Sequence, residues 1–149
     1  MDEIRNARSA KSVRHVAVLV DSSVWIAGAK PKNPECLQLK RLIAQRENLY
    51  ITRLIQVEVT QGARTETEFH RLWESFLGFP SLEVTELNLG KSASNYFRAK
   101  KKGITLTTLD CVIATLAVEA NMSLWTLDPI FVRLAPIIGL ELYHEPHPL

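Results

Sequence analysis

The stretch VAVLVD, from Val16 to Asp21, decides how this chain folds. Five apolar, mostly β-branched residues run without a polar interruption, the pattern of a strand buried on both faces in a parallel sheet. The run ends abruptly on a carboxylate. The same arrangement returns a hundred residues later in SLWTLD, Ser123 to Asp128. Two inner strands that each run into an aspartate are therefore the frame into which everything between them must fit.

The segments between them alternate in type. Asn33 and Pro34 open a helix with an apolar stripe of Cys36, Leu39, Leu42 and Ile43. LYI (Leu49–Ile51) is a second strand. TRLIQVEVTQGA reads two ways: Ile55, Val57 and Val59 alternate as in a strand, while Thr52 as a cap and the spacing of Ile55 and Val59 suit a helix. In TETEFHRLWESFLGF, Thr65 and Glu68 form a capping box ahead of Phe69, Leu72, Trp73, Phe76 and Leu77, and Pro80 stops the helix. LEVTEL (Leu82–Leu87) reads as a third strand, followed by a helix capped by Asn88, carrying Ala93, Tyr96 and Phe97 and ending at Gly103. LTTLDCVIATLA (Leu106–Ala117) is the next helix, Ser123–Leu127 a fourth strand, Pro129 to roughly Leu134 a short helix, and LELY (Leu140–Tyr143) a last strand. The alternation predicts an α/β fold, a three-layer α/β/α sandwich around a mostly parallel central sheet of about five strands with right-handed connections.

At 149 residues, 46% hydrophobic and 23% charged, the chain is one globular domain with enough apolar residues for a real core. We place a flexible basic leader at 1–15, the domain at 16–144 and a loose tail at 145–149. No apolar run is long enough to span a membrane and the amino-terminal residues contain no apolar signal core, so the expected location is the cytoplasm. Cys36 and Cys111 lack metal-site spacing and read as reduced core thiols. The formal charge of +2 does not by itself require a nucleic-acid partner. The basic residues are nonetheless clustered, at Arg5, Arg8, Lys11 and Arg14 and again at Arg98, Lys100, Lys101 and Lys102. Such runs usually solvate a face; the second is the candidate for contacts to phosphates.

Ligands of open α/β sheets bind beyond the carboxyl ends of the strands. If the two aspartate-ending strands are neighbours, Asp21 and Asp128 share one crevice; Asp110, in the first turn of the helix before the second of them, can reach it, and Glu58 can complete the cluster. Each acid also has an ordinary explanation. Asp21 and Asp128 are possible helix caps, TTLD (Thr107–Asp110) has capping-box spacing with Asp in place of Glu, and Glu58 can sit on an exposed face. These explanations weaken for the set, because three independent caps need not gather at one end of one sheet. Crowded carboxylates repel unless a cation joins them. Oxygen ligands without His or Cys point to Mg²⁺ or Mn²⁺ and away from Zn²⁺.

The segments VLVDSSVWI, VEV, GITLTTLDCVIATLA and LWTLDPIF, in that order, resemble the PIN-domain ribonucleases, and in particular the VapC toxins of toxin–antitoxin pairs. The likeness runs from about Val16 to Tyr143. It implies metal-dependent cleavage of RNA, with Asp21, Glu58, Asp110 and Asp128 as the catalytic and metal-binding acids. Ser23 matches the small hydroxyl residue after the first acid, Thr126 the threonine before the last, and Thr107 the polar residue ahead of the third; these three would orient the ligands. The resemblance also places Glu58 on a helix, and implies a homodimer silenced by a VapB-like antitoxin. The chain departs from the family at DPIF, where Ile130 replaces an acid that many relatives carry, so a second metal would be weakly held or filled only when RNA supplies a phosphate oxygen. Two other readings follow from the same fold: a housekeeping RNA-processing nuclease, and an RNA-binding module whose acids are idle. Trp25 can stack on a base or fill the core.

Overall fold

The computed structural model describes residues 17–143; the leader, Val16 and the tail lie outside the described residues. Four strands, β1 (Val18–Val20), β2 (Leu49–Thr52), β3 (Ser81–Leu82) and β4 (Ser123–Trp125), form one sheet in the order β3-β2-β1-β4. All three pairings are parallel. The chain steps outward from β1 to β2 and β3, then returns to the other side of β1 for β4. The strand order therefore reverses between β1 and β4, the two strands that lead into aspartates.

Seven helices cover the sheet: α1 (Ser22–Gly28), α2 (Pro34–Ala44), α3 (Arg53–Thr60), α4 (Glu66–Ser75), α5 (Glu86–Lys101), α6 (Thr108–Glu119) and α7 (Ile130–Ile138). The pleat of β1 divides them. Leu19 joins the larger core with Ile55 of α3, Ile113 of α6 and Phe131 and Leu134 of α7. Val18 and Val20 point the other way, onto Val24 of α1 and Leu39 and Leu42 of α2. The three-layer expectation holds.

The ambiguous segment is a helix. The Thr52 hydroxyl accepts from Leu54 N at 3.0 Å, and Ile55, Gln56, Val59 and Thr60 form the buried face. Buried Gln56 is bonded at both ends of its amide, accepting from Arg53 at 2.6 Å and donating to the Trp73 carbonyl at 2.8 Å, which ties α3 to α4. Trp25 is partly buried and packs against the core. Its indole N–H donates to Val20 O at 3.1 Å, and its ring meets Phe76 and Phe79 edge-on, each with centroids 5.1 Å away. Both cysteines are free and buried. No helix among the described residues is long and apolar enough to cross a membrane.

Several element boundaries differ from the sequence reading. LEVTEL contributes only Leu82 to β3, because Thr85 caps α5: it accepts from Asn88 N at 3.1 Å while Asn88 Oδ1 accepts from Thr85 N. Asn88 is therefore inside the helix, not at its cap. The fourth strand stops at Trp125, and Thr126 to Asp128 form the turn into α7. α7 continues past Leu134 to Ile138 despite Pro136; Pro136 and Val132, whose carbonyl loses its partner, are both exposed, where water replaces the bond. The fifth strand shrinks to a single parallel bridge, Leu142 to Leu124. Gly139 ends α7 in the left-handed conformation and Leu140 N bonds back to Ala135 O, so LELY has too few free residues left for a ladder.

Trp25→Ala removes the indole bond and both ring contacts, so the chain should lose about 3 kcal/mol of stability. Urea unfolding measures this directly.

Candidate active site

The strand register sets the centre of the site. Val20 pairs with Trp125, and Asp21 N continues the ladder by donating to Trp125 O at 2.9 Å. The residue after β1, Asp21, thereby stands opposite the residue after β4, Thr126. Asp21 is 4% exposed. It occupies the cap position of α1 but makes no side-chain cap bond. Its Oδ2 instead accepts from Ser23 Oγ at 2.7 Å and from Thr126 Oγ1 at 2.9 Å. Each hydroxyl spends its single proton there and uses its lone pairs on the turn after β4: Ser23 accepts from Leu127 N at 3.0 Å, Thr126 from Asp128 N at 3.1 Å. Two bonds on one oxygen hold the carboxylate still, and Oδ1 accepts none among the described residues.

Asp110 lies in the first turn of α6, where the Thr107 hydroxyl accepts from its N–H at 3.1 Å. The capping interaction read from TTLD exists, so the ordinary explanation accounts for the helix start. It does not account for the electrostatics. Burial pushes the Asp110 carboxyl above its ordinary range, and the charges of Asp21 and Asp128 push the same way; bonds from Thr107 oppose them without prevailing. Glu58 is also raised, by burial first, then by Asp21 and Asp110, against a hydrogen bond from Ser22. Charge thus links Asp21, Glu58 and Asp110 to one another and Asp128 to Asp110. Asp128 serves twice: its Oδ1 accepts from Ile130 N at 3.0 Å, starting α7, while its charge acts on Asp110.

One atom stands out. Glu58 Oε1 is buried with no hydrogen-bond partner among the described residues. A buried carboxylate oxygen left unmatched beside two other acids costs free energy, and a hard cation is the partner that removes the cost. The donor chemistry fits Mg²⁺ or Mn²⁺. As the side chains stand, no three His, Cys, Asp or Glu among the described residues are gathered tightly enough to enclose an ion; binding would have to draw the carboxylates inward.

Ser22 escaped the sequence reading. In the pair Ser22-Ser23, the second hydroxyl donates to Asp21 at 2.7 Å, and the first lies near enough to Glu58 on α3 to pull its carboxyl down against burial. The only signal was two adjacent hydroxyls after a strand-ending aspartate. The basic run does not join the acids directly. Arg98, Lys100, Lys101 and Lys102 lie at the carboxyl end of α5, and Arg98 donates to the carbonyl of Ile137 in the last turn of α7, the end opposite Asp128.

Comparison with known proteins bears on this geometry. The family model described as PIN domain matches residues 18–136. No curated protein matches the sequence. Among solved structures, the chain is similar to FitAcB from Neisseria gonorrhoeae, with 19% identity, a TM-score of 0.68, and coverage of 85% of this chain and 96% of that one. It is similar to DNA-bound VapBC from Salmonella typhimurium, with 20% identity, a TM-score of 0.69, and coverage of 86% and 97%. It is also similar to VapC20 of Mycobacterium tuberculosis, a sarcin-ricin loop cleaving toxin, with 13% identity, a TM-score of 0.63, and coverage of 78% and 94%. At these identities the likeness establishes the shared fold.

The raised carboxyls of Asp110 and Glu58 set a pH dependence. An acid whose pKa is higher folded than unfolded binds more protons in the folded state, so stability falls as pH rises through that window. Asp110→Asn removes its share of the penalty. In EDTA the variant should melt at or above the wild-type temperature at neutral pH, and the gain should fade below the ordinary carboxylate range. Thermal melts at pH 4 and pH 7 test the sign.

Proposed function

The chain belongs to the PIN-domain family, and on that premise we propose that it is a metal-dependent endoribonuclease, the toxin of a toxin–antitoxin pair, cutting RNA at the crevice between β1 and β4. The observation that carries this reading is the unmatched Oε1 of Glu58 within a group of four mutually repelling acids. An RNA-binding module has no use for such a cost.

Asp21 and Asp110 would be the principal ligands of Mg²⁺ or Mn²⁺, with Glu58 and Asp128 completing the set. Such a cation, when bound, makes a water a stronger acid and shields the phosphate charge from the carboxylates. The residues of the chain have separable tasks. Ser23 and Thr126 fix Asp21 through Oδ2 and leave Oδ1 to face a ligand. Thr107 holds the start of α6, and with it Asp110. Glu58, whose Oε1 has no hydrogen-bond partner among the described residues, would hold the cation or position the attacking water. In-line attack by water would leave a 5′-phosphate and a 3′-hydroxyl. Ile130, in place of a further acid, limits the donors for a second ion.

The partner assignment is supported by the solved neighbours, several of which are toxin–antitoxin complexes, among them VapBC-1 from nontypeable Haemophilus influenzae. We take the partner to be a VapB-like antitoxin and the working form to be a homodimer.

RNA cleavage should require Mg²⁺ or Mn²⁺ and stop in excess EDTA. Asp110→Asn should lower the rate by orders of magnitude and shrink the rise in melting temperature on adding Mg²⁺. Persistent cleavage in EDTA, or a variant cutting at near wild-type rate, would overturn the reading. Co-purification with the product of the adjacent gene, and relief of growth arrest by it, test the toxin assignment.

A further inference from the structure

The basic run of α5 and the last turns of α7 enclose a groove of about 640 Å³ lined by Phe97, Arg98, Lys101, Lys102, Pro136 and Ile137. Its charge is one-sided. No Asp or Glu occurs between residues 87 and 109 or between 129 and 140, so neither wall supplies a carboxylate from its own sequence. The carboxyl end of α5 presents about half a negative charge, which one cation answers; four cations stand within five residues there. Arg98 is committed to holding α5 against α7 through the Ile137 carbonyl. Lys101 and Lys102 are exposed, and Lys101 lies 5.3 Å from the centroid of Phe97, a ring residue that is 61% exposed. Cations beside an exposed aromatic ring are the combination that tracks a single-stranded backbone and stacks a base.

The groove is also connected to the acid cluster. α7 starts two residues after Asp128 and ends at the groove, so Ile130 and Ile137 are separated by ~10 Å along the axis. Arg133, exposed and one turn closer to Asp128 than Ile137, lies between them.

We propose that this groove is a second RNA-contacting site: Lys101 and Lys102 take backbone phosphates, Phe97 stacks a base, and Arg133 guides the strand along α7 towards the crevice. That the polyanion is RNA rests on the proposed nuclease reading. The site gives the enzyme a hold on several nucleotides beyond the scissile bond, at a distance where the acids do not repel them.

The test is fluorescence anisotropy in EDTA with a labelled single-stranded RNA of roughly 20 nucleotides, longer than one such track needs. Lys101→Glu with Lys102→Glu should weaken binding at least tenfold and flatten the slope of log affinity against log salt by about 0.7 for each phosphate that is no longer held. Arg133→Ser should weaken it less. Phe97→Ala should cost about fivefold or more. Lys101→Gln with Lys102→Gln, and melting curves for all variants, separate a weakened hold on RNA from unfolding. Three outcomes would overturn the proposal: a wild-type chain that does not bind this RNA, folded variants that bind it equally well, or variants whose RNA affinity is unchanged while light scattering shows that the dimer has dissociated, which would make the groove an interface between copies. Binding that falls as expected in a chain that cuts no RNA would instead remove the nuclease reading and leave this site standing.

Discussion

Everything in the site depends on β4 pairing in parallel with β1. That register brings Asp21 opposite Thr126, two residues 105 positions apart in sequence, and lets both Thr126 and Ser23 donate to one carboxylate oxygen. Without the crossover to the far side of β1, Asp21 would keep only the local bond from Ser23. With it, the turn after β4 is bonded to the residues that follow β1 through two hydroxyls, and the charges of both Asp21 and Asp128 act on Asp110. Sheet topology and site geometry are the same fact.

The sheet imposes a cost. Four acids converge, two of them with carboxyls raised by burial and by each other, and one oxygen of Glu58 has no partner among the described residues. Some of the crowd is used structurally: Thr107 starts α6 at Asp110, and Asp128 starts α7 at Ile130. Neither duty explains why Glu58, on α3, is aimed into the same place. A fold optimised for stability alone would put a neutral side chain there. On the proposed reading this concentrated charge would be relieved by a cation, so a stabilising substitution and a disabling one can be the same residue change.

Much of this was legible in the sequence because strong signals agreed. The apolar run of β1, the return of the pattern before Asp128 and the mostly apolar body of α6 each admit few readings. What sequence left open was decided by local bonds or by long-range pairing. Glu58 lay in a segment whose alternation suited a strand; the Thr52 cap and the burial of Gln56 against α4 made it a helix. Thr85 and Asn88 are both good caps, and only the reciprocal bonds between them show which is which. Ser22 could not be assigned in advance, because its partner is on another helix and nothing local marks the link. The separation of the basic run from the acids is likewise invisible in a linear sequence, since it follows from which end of α7 Arg98 meets.

The central claim is that the acids at the β1–β4 crevice are gathered to hold a divalent cation. Calorimetric titration of Mn²⁺ into the wild-type chain and into Asp21→Asn tests it without reference to any RNA. The account predicts saturable binding to the wild type that is abolished or weakened by an order of magnitude or more in the folded variant. Equal binding by both proteins, or none by the wild type, would contradict it.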